Sequence, residues 1–192
     1  MTVKKISKQE QEKLNQFVLD LKSKNSAKIE AALKAFSVHG HVSIIEPVLQ
    51  VWCEGLSESN EKLVEQLLQG LKDTSTIEPL IMAFRNPKYE NIQRKLLVTF
   101  WNSKLEFSPY LADFTLFAIE GDFSDAFEAL TVIENFETLP SESSILETQL
   151  LLSEYFNQKR ASDEQKDSLI AEIAVLVENF SRQEGTENLE LE

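Results

Sequence analysis

The chain has 192 residues and a formal net charge of −13, from 19 basic and 32 acidic side chains. Its 42% of hydrophobic and 27% of charged residues exclude wholesale disorder and favour a globular domain with a sizeable core. The single cysteine, Cys53, excludes an intramolecular disulfide and cannot by itself supply a structural zinc site. Residues 1–13 are polar, and no stretch approaches about 18 apolar residues. We therefore expect a cytoplasmic protein that has neither a signal peptide nor a membrane helix.

The charge lies unevenly along the chain. Residues 1–40 carry eight lysines and four acidic residues, whereas residues 105–192 carry 20 acidic and four basic residues. A negative field repels the phosphate backbone, which nucleic-acid-binding proteins neutralise with lysine and arginine. We therefore expect no nucleic-acid partner, whereas a basic protein or peptide would suit the acidic half.

Four of the five prolines recur at intervals of 30 to 32 residues. Three of them share a context, because apolar residues precede and follow the proline at matching offsets in residues 45–49, 77–81 and 107–111. Proline fits the first turn of a helix, where its missing N–H has no acceptor to lose. Each of the four is therefore predicted to mark a helix start: Pro47, Pro79, Pro109 and Pro140.

A second periodic segment follows three of these prolines, and a proline-free copy of the same plan precedes them. Breaks of turn-forming or capping residues lie at 24–26, 57–60, 86–87 and 121–122. The apolar spacing on either side of the breaks places one stripe on each helix. In chain order the stripes are Leu14, Phe17 and Leu21; Ile29, Leu33 and Phe36; Leu63, Leu67 and Leu71; Ile92, Leu96 and Phe100; and Ala126, Leu130 and Ile133.

The sequence thus predicts about ten helices in five antiparallel pairs, at residues 7–40, 41–73, 74–104, 105–138 and 139–183. Strand signals are poor, since no sustained alternation and no Asn-Gly or Asp-Gly hairpin dipeptide occurs. Stacked helix pairs bury a continuous core and expose polar caps at the two ends, as in a solenoid. We predict one repeat domain over residues 1–183, followed by an acidic, flexible tail over residues 184–192.

The third pair resembles the HEAT repeat most clearly, with IEPLIMAFRNP at residues 77–87 and IQRKLL at residues 92–97. The resemblance covers residues 41–137 and weakens at both ends. The family often places arginine directly after the aliphatic residue that opens the second helix, where this chain has Glu30, Val64 and Gln93. The arginine ladder that joins neighbouring repeats in the family is therefore largely absent, and related armadillo-like helical repeats stay open. The resemblance implies an all-α, right-handed α-α superhelix whose second helices line a concave, protein-binding surface.

Such a concave face would present the polar positions of the second helices. The aromatic residue Trp101 lies in the run 100–107, where aromatics bracket a polar turn, and it is a candidate anchor if it is exposed. Core packing is the alternative for Trp101, as it is for Tyr89 and Tyr110. The predicted partner-binding residues are Glu30, Lys34, Glu65, Gln66, Gln69, Gln93, Arg94 and Glu128.

No set of residues predicts catalysis, a cofactor or a metal ion. The His-Gly-His sequence at 39–41 lacks further ligands at fixed spacing and indicates a turn between helices. Cys53 lies in an apolar run that favours a buried structural thiol. Gly121 and Asp122 indicate a helix stop and an N-cap in preference to acid–base chemistry. The five glycines lie too far apart for a phosphate-binding loop.

These observations predict a non-enzymatic scaffold or adaptor that binds a protein or peptide on its concave face. One alternative is an enzyme built on the same fold, similar to alkylpurine DNA glycosylases or bilin lyases. The other is a self-assembling subunit, because the apolar residues between 146 and 156 are wide for one helix face. The last helix could cover that run, so a monomer is expected ahead of a homodimer.

Overall fold

The computed structural model describes residues 8–39, 41–158 and 163–190, and of residues 39 and 185–190 it describes the backbone alone. These ranges contain ten α-helices and no strand, which confirms the predicted all-α class and helix number. The helices are α1 (Lys8–Leu21), α2 (Ser26–His39), α3 (Ile45–Glu54), α4 (Glu58–Gln69), α5 (Ile77–Phe84), α6 (Gln93–Trp101), α7 (Leu111–Glu120), α8 (Phe123–Glu134), α9 (Glu142–Asn157) and α10 (Glu164–Glu190).

The chain divides into two compact units, Met1–Gln93 and Arg94–Glu192. In the first unit, α1 packs on α2, α2 packs on α4, and α3 packs on α5. In the second unit, α7 packs on α8 and α9, and α10 packs on α8 and α9. A single repeat domain over residues 1–183 and a flexible tail over 184–192 both stay predictions, and α10 runs on to Glu190.

The periodic prolines lie at helix starts, as their spacing predicts. Pro47 and Pro79 are each the third residue of a helix, α3 and α5, and a short 3-10 turn precedes both helices. Pro109 lies in the 3-10 turn Ser108–Tyr110, which leads into α7. Pro140 directly precedes Ser141, whose side chain caps α9 by accepting from the Ser144 N–H. In each case the ring occupies a position where a backbone donor has no intrahelical acceptor.

The predicted apolar stripes form the cores of the two units, except that Phe17 of α1 is only half-buried and the stripe of α4 is displaced. Val64, Leu67 and Leu68 are buried in α4, whereas the predicted Leu63 and, just after the helix, Leu71 are only half-buried. Successive helix residues are about 100° apart, so the buried face of α4 is turned by one residue from the predicted stripe.

Stacked aromatic rings form the centre of the second unit. Phe100 and Phe107 stack with ring centroids 4.5 Å apart. Phe114 meets both rings edge-on at 6.1 and 6.3 Å, and Phe136 packs on Phe114 at 6.2 Å. Such pairs stabilise beyond the area they bury. The aromatic residues at positions 100 and 107 therefore belong to the core, as the core-packing interpretation predicts.

A lysine of α10 holds the end of α7. The Lys166 ammonium donates to the carbonyl oxygens of Ile119 at 2.7 Å and Gly121 at 2.6 Å. A cation at the last carbonyls of a helix satisfies their lone pairs and complements the negative end of the helix dipole. This contact fixes the turn from which α8 begins.

Candidate interaction surface

The eight predicted partner-binding residues all lie on α2, α4, α6 or α8, and none of them is fully buried. Two of them pair with each other, because the Lys34 Nζ lies 2.6 Å from the Glu30 Oε1 on the same helix. Gln93 is used internally and donates to the Phe84 carbonyl at 2.6 Å. Gln66 is exposed and lines a cleft of about 220 Å³ in the first unit. Part of the predicted set is therefore engaged in local contacts, and its role in binding a partner stays a prediction.

Arg94 joins the start of α6 to the start of α8. Its Nε donates to Asp125 Oδ1 at 2.7 Å, and a terminal guanidinium nitrogen donates to Asp122 Oδ2 at 2.8 Å. Gln93 occupies the position where the HEAT family often has arginine, and Arg94, one residue later, makes this link from α6 to α8. Whether the chain has an arginine ladder between repeats stays a prediction.

The two aspartates also build a reciprocal cap at the start of α8. Asp122 Oδ1 accepts from the Asp125 N–H at 2.9 Å, and Asp125 Oδ2 accepts from the Asp122 N–H at 3.0 Å. This capping box confirms the predicted helix stop and N-cap. A Cβ added to Gly121 would lie 2.4 Å from the Asp125 Cβ, so the close approach requires glycine.

Hydrogen bonds in the cluster favour the charged forms of Asp122 and Arg94. The Asp125 backbone N–H, and to a lesser extent Arg94, hold the pKa of Asp122 below its ordinary value. The pKa of Arg94 is raised, chiefly by its hydrogen bond to Asp125. These hydrogen bonds stabilise the charged forms of Asp122 and Arg94, so the two groups form an ion pair that positions α8.

Trp101 and Glu128, both predicted to contact a partner, contact each other. The Trp101 Nε1 donates to Glu128 Oε2 at 3.1 Å, and both side chains are half-buried. The neighbouring cavity, lined also by Lys104 and Asn135, measures only about 30 Å³. Of the flanking aromatics, Tyr89 is buried and Tyr110 is half-buried. A role for Trp101 as an anchor stays a prediction, and its indole N–H is already used.

The sequence analysis missed an exposed aromatic pair on α8. Phe123 is 41% exposed and Phe127 is 50% exposed. Their rings stack with centroids 6.5 Å apart and an angle of 23° between the planes. The two residues lie one turn apart and outside the buried stripe of that helix. Phenylalanines at i and i+4 outside the apolar stripe are the sequence signal that could have predicted this pair. Exposed aromatic pairs are typical of interaction sites.

The aromatic pair lies in the unit that carries the whole net charge of the protein. The first unit has 12 basic and 12 acidic side chains, whereas the second has 7 basic and 20 acidic side chains. Carboxylates precede and follow the rings along α8, at Asp122, Asp125, Glu128 and Glu134. We call Phe123, Phe127 and these four carboxylates the α8 surface.

The apolar run on α9 is only partly covered. Leu152 and Tyr155 are buried, and the Tyr155 hydroxyl donates to Asp167 of α10. Leu146, Leu150 and Phe156 are exposed, Leu150 by 68%. The suggestion that the last helix buries this run is therefore wrong for these three residues, because they project from the side of α9 away from its buried face.

The two candidate chemical groups of the first unit have structural partners. The Cys53 thiol is half-buried, and it donates to Asn91 Oδ1 at 3.0 Å and the Lys88 carbonyl at 3.2 Å. Asn91 in turn donates to the Cys53 carbonyl at 2.8 Å, so the thiol ties α3 to the next turn. His41 Nδ1 accepts from the Ser43 N–H, which confirms a turn there. Gly40, the middle residue of this predicted turn, lies outside the described residues.

The described ranges hold neither a metal-binding cluster nor a membrane-spanning helix. No group of three or more His, Cys, Asp and Glu residues in them is placed to hold a metal ion. In the same part of the chain, no helix combines the length and the apolar character that crossing a bilayer requires.

Comparison with known proteins does not place the chain in a family. No family model, no curated protein and no solved structure matches it. The HEAT resemblance therefore rests on the repeat pattern of this sequence and stays a prediction.

Proposed function

We propose that this protein is a non-enzymatic interaction module, a HEAT-like α-solenoid of antiparallel helix pairs that binds a basic segment of a partner protein. The proposal is supported by the ten helices, by prolines at the starts of the first helices of the pairs, and by the Arg94 link from α6 to α8. The predicted second helices include α8, which carries the exposed aromatic pair. Binding by second helices is what the HEAT resemblance implies.

The observation that carries this proposal is the stacked, exposed pair of Phe123 and Phe127 in a strongly acidic unit. Keeping two half-exposed rings in water is unfavourable, because full burial of one such ring gains about 1.5–3 kcal/mol. A partner that covers them recovers part of that free energy. The rings are therefore the expected centre of the interface, and the surrounding carboxylates its polar rim.

The charge of the α8 surface selects the chemistry of the partner. Lysine and arginine side chains pair with the exposed carboxylate of Asp122 and the exposed Glu134. A guanidinium also stacks favourably on an aromatic face, a contact worth about 0.5–1 kcal/mol at an exposed site. The segment that fits is one with basic residues and at least one apolar side chain. Complementary charge chiefly raises the association rate and makes it dependent on salt.

Affinity purification from the native organism tests this function with a matched pair of variants. The double variant Phe123→Ser/Phe127→Ser removes the rings, and Val175→Ser removes an exposed apolar side chain from α10 in the same unit. We expect a partner that the double variant loses, that Val175→Ser retains, and whose bound segment is basic. Equal recovery of the partner by the wild-type protein and both variants would contradict the proposal, and so would a bound segment that is acidic.

Self-assembly is a second candidate, and the exposed Leu146, Leu150 and Phe156 on α9 favour it. Light scattering after size-exclusion chromatography tests it directly. A dimer that the variant Leu150→Ser converts to a monomer would support self-assembly. A concentration-independent monomer would exclude it.

A further inference from the structure

The first unit contains a cleft of about 390 Å³ that the proposed function does not use. It opens between the turn that joins α1 to α2 and the turn that joins α3 to α4. Leu21, Ile29 and Val51 are buried and form its apolar floor, and Leu56 is half-buried beside them. This volume lies in the range of pockets that accept small ligands or a few side chains of a peptide.

Two lysines on the rim of the cleft have no acidic partner among the described residues. Lys22 and Lys24 are both exposed and line the cleft. The two lysines of α2 differ in this respect. Lys28 lies 3.7 Å from Asp20, and Lys34 lies 2.6 Å from Glu30. The rim therefore holds positive charge that is not neutralised locally.

The single acidic residue that lines the cleft is already engaged. Glu54 Oε1 accepts from Gln50 Nε2 at 3.1 Å, one turn earlier on α3. With two lysines and one carboxylate, the lining carries a net positive charge. The cleft thus differs in sign from the α8 surface of the second unit.

Two helix starts add to the positive potential of the cleft. Ser26, the first residue of α2, and Ser57, the N-cap of α4, both line it. The Ser57 side chain makes no capping hydrogen bond to α4. The first N–H groups of a helix and the positive end of its dipole favour a negatively charged oxygen nearby.

Asn60 links the two helix starts that line the cleft. Its side chain is 1% exposed and lines the cleft. Asn60 Nδ2 donates to the Ser26 carbonyl at 3.3 Å and the Ser26 hydroxyl at 3.1 Å, which fixes the orientation of the amide. Among the described residues, Asn60 Oδ1 has no hydrogen-bond partner. Because this oxygen is buried, it is not open to a ligand in the cleft, and the role of the Asn60 amide is to hold the starts of α4 and α2 together.

We propose that this cleft binds an acidic peptide segment of a partner protein. A carboxylate of the segment lies between Lys22 and Lys24, and an apolar side chain rests on the floor formed by Leu21, Ile29 and Val51. A free anion would use the lysines alone, whereas a peptide uses the lysines and the apolar floor together. This inference goes beyond the proposed function, because it concerns the other unit and a ligand of opposite charge.

Nuclear magnetic resonance titration of the full-length protein with the capped peptide Asp-Leu-Glu-Leu-Asp tests the proposal. We expect saturable shifts in the backbone signals of residues 22–26 and 55–60 and in the Asn60 side-chain amide. The variant Lys22→Gln/Lys24→Gln should weaken binding about tenfold, since it removes two cations from the rim. The control Lys28→Gln/Lys34→Gln makes the same change of charge at paired lysines outside the cleft and should change affinity less than about twofold.

Changes in the peptide test the floor without altering the protein. Replacing both leucines by alanine should weaken binding several-fold, and replacing the acidic residues by their amides should weaken it about tenfold. Equal weakening by the two lysine variants would overturn the proposal, because it would indicate diffuse charge attraction. The proposal would also be overturned if inorganic phosphate reproduced the same shifts and the leucine-free peptide bound unchanged. The site would then recognise a free anion. The variant Phe123→Ser/Phe127→Ser should bind this peptide normally, so the outcome is independent of the basic partner proposed for α8.

Discussion

Arg94 donates from Nε to Asp125 Oδ1 at 2.7 Å, across 31 positions of the sequence. The acceptor is also the third residue of α8 and closes the cap at its start. One carboxylate therefore serves two purposes, since it begins α8 and ties that helix to α6. The exposed phenylalanines stand on the first two turns of the helix held in this way.

Replacing Arg94 with alanine should lower the free energy of unfolding by about 1 kcal/mol. The substitution leaves Asp122 and Asp125 close together without the cation that both accept from. Urea denaturation followed by circular dichroism measures the change. Lys62→Ala is the control, because it removes an exposed pair with Glu58 within one helix and should cost less than about 0.5 kcal/mol. Equal costs for the two variants would show that Arg94 makes only a surface pair.

The cap of α8 predicts a pH dependence of stability. The pKa of Asp122 is lowered from 3.8 in the folded chain, chiefly by the Asp125 N–H. Its contribution to stability is therefore complete above the unfolded pKa and is lost as the pH falls through the folded one. The free energies of unfolding of the wild-type protein and of Asp122→Asn should differ most at pH 6 and converge as the pH falls below about 3.8. A difference that does not depend on pH would contradict the assignment.

The two tryptophans should report different environments. Trp52 is 1% exposed, whereas Trp101 is half-buried and donates to Glu128. The variant Trp101→Phe retains Trp52, and its emission maximum should lie at shorter wavelength than that of Trp52→Phe and resist quenching by acrylamide. Trp52→Phe, which retains Trp101, should emit at longer wavelength and quench more readily. The reverse order would place Trp101 in the core.

The exposed rings of α8 should contribute little to folding. Phe127→Ser should change the free energy of unfolding by less than about 1 kcal/mol, because the side chain is half in water. Phe114→Ala, at the centre of the aromatic cluster, should cost about 3–5 kcal/mol. Thermal denaturation compares the two. A large loss for Phe127→Ser would assign the ring to packing and remove the main support for the α8 surface.

Local chemistry made much of the fold predictable from the sequence. Proline at Pro47 and Pro79 restricts the backbone to a helix start, and Asp122 caps whichever helix follows it. These effects depend on neighbouring residues alone. The buried face of α4 was missed by one residue, because it depends on how α2 packs against it. Periodicity predicts a helix more securely than the direction of its buried face.

The candidate site was much less predictable. Whether Phe127 is covered or exposed depends on residues distant in the sequence, and hydrophobic residues are expected inside by default. Glu128 was predicted to meet a partner, yet its carboxylate accepts from Trp101. The cleft of the first unit was not predicted, because it forms only when two turns far apart in the sequence come together. Its rim lysines, Lys22 and Lys24, could therefore not be assigned to a site from the sequence.

The most direct test of the central claim is selection from a random peptide library on the immobilised full-length protein at moderate salt. We expect enriched sequences that combine lysine or arginine with an apolar residue, and we expect Phe123→Ser/Phe127→Ser to lose them while Val175→Ser keeps them. We also expect a separate set of acidic peptides that bind the cleft of the first unit, and these should still bind the double variant. Absence of basic sequences, or basic sequences that bind equally without the two rings, would contradict the proposed role of α8.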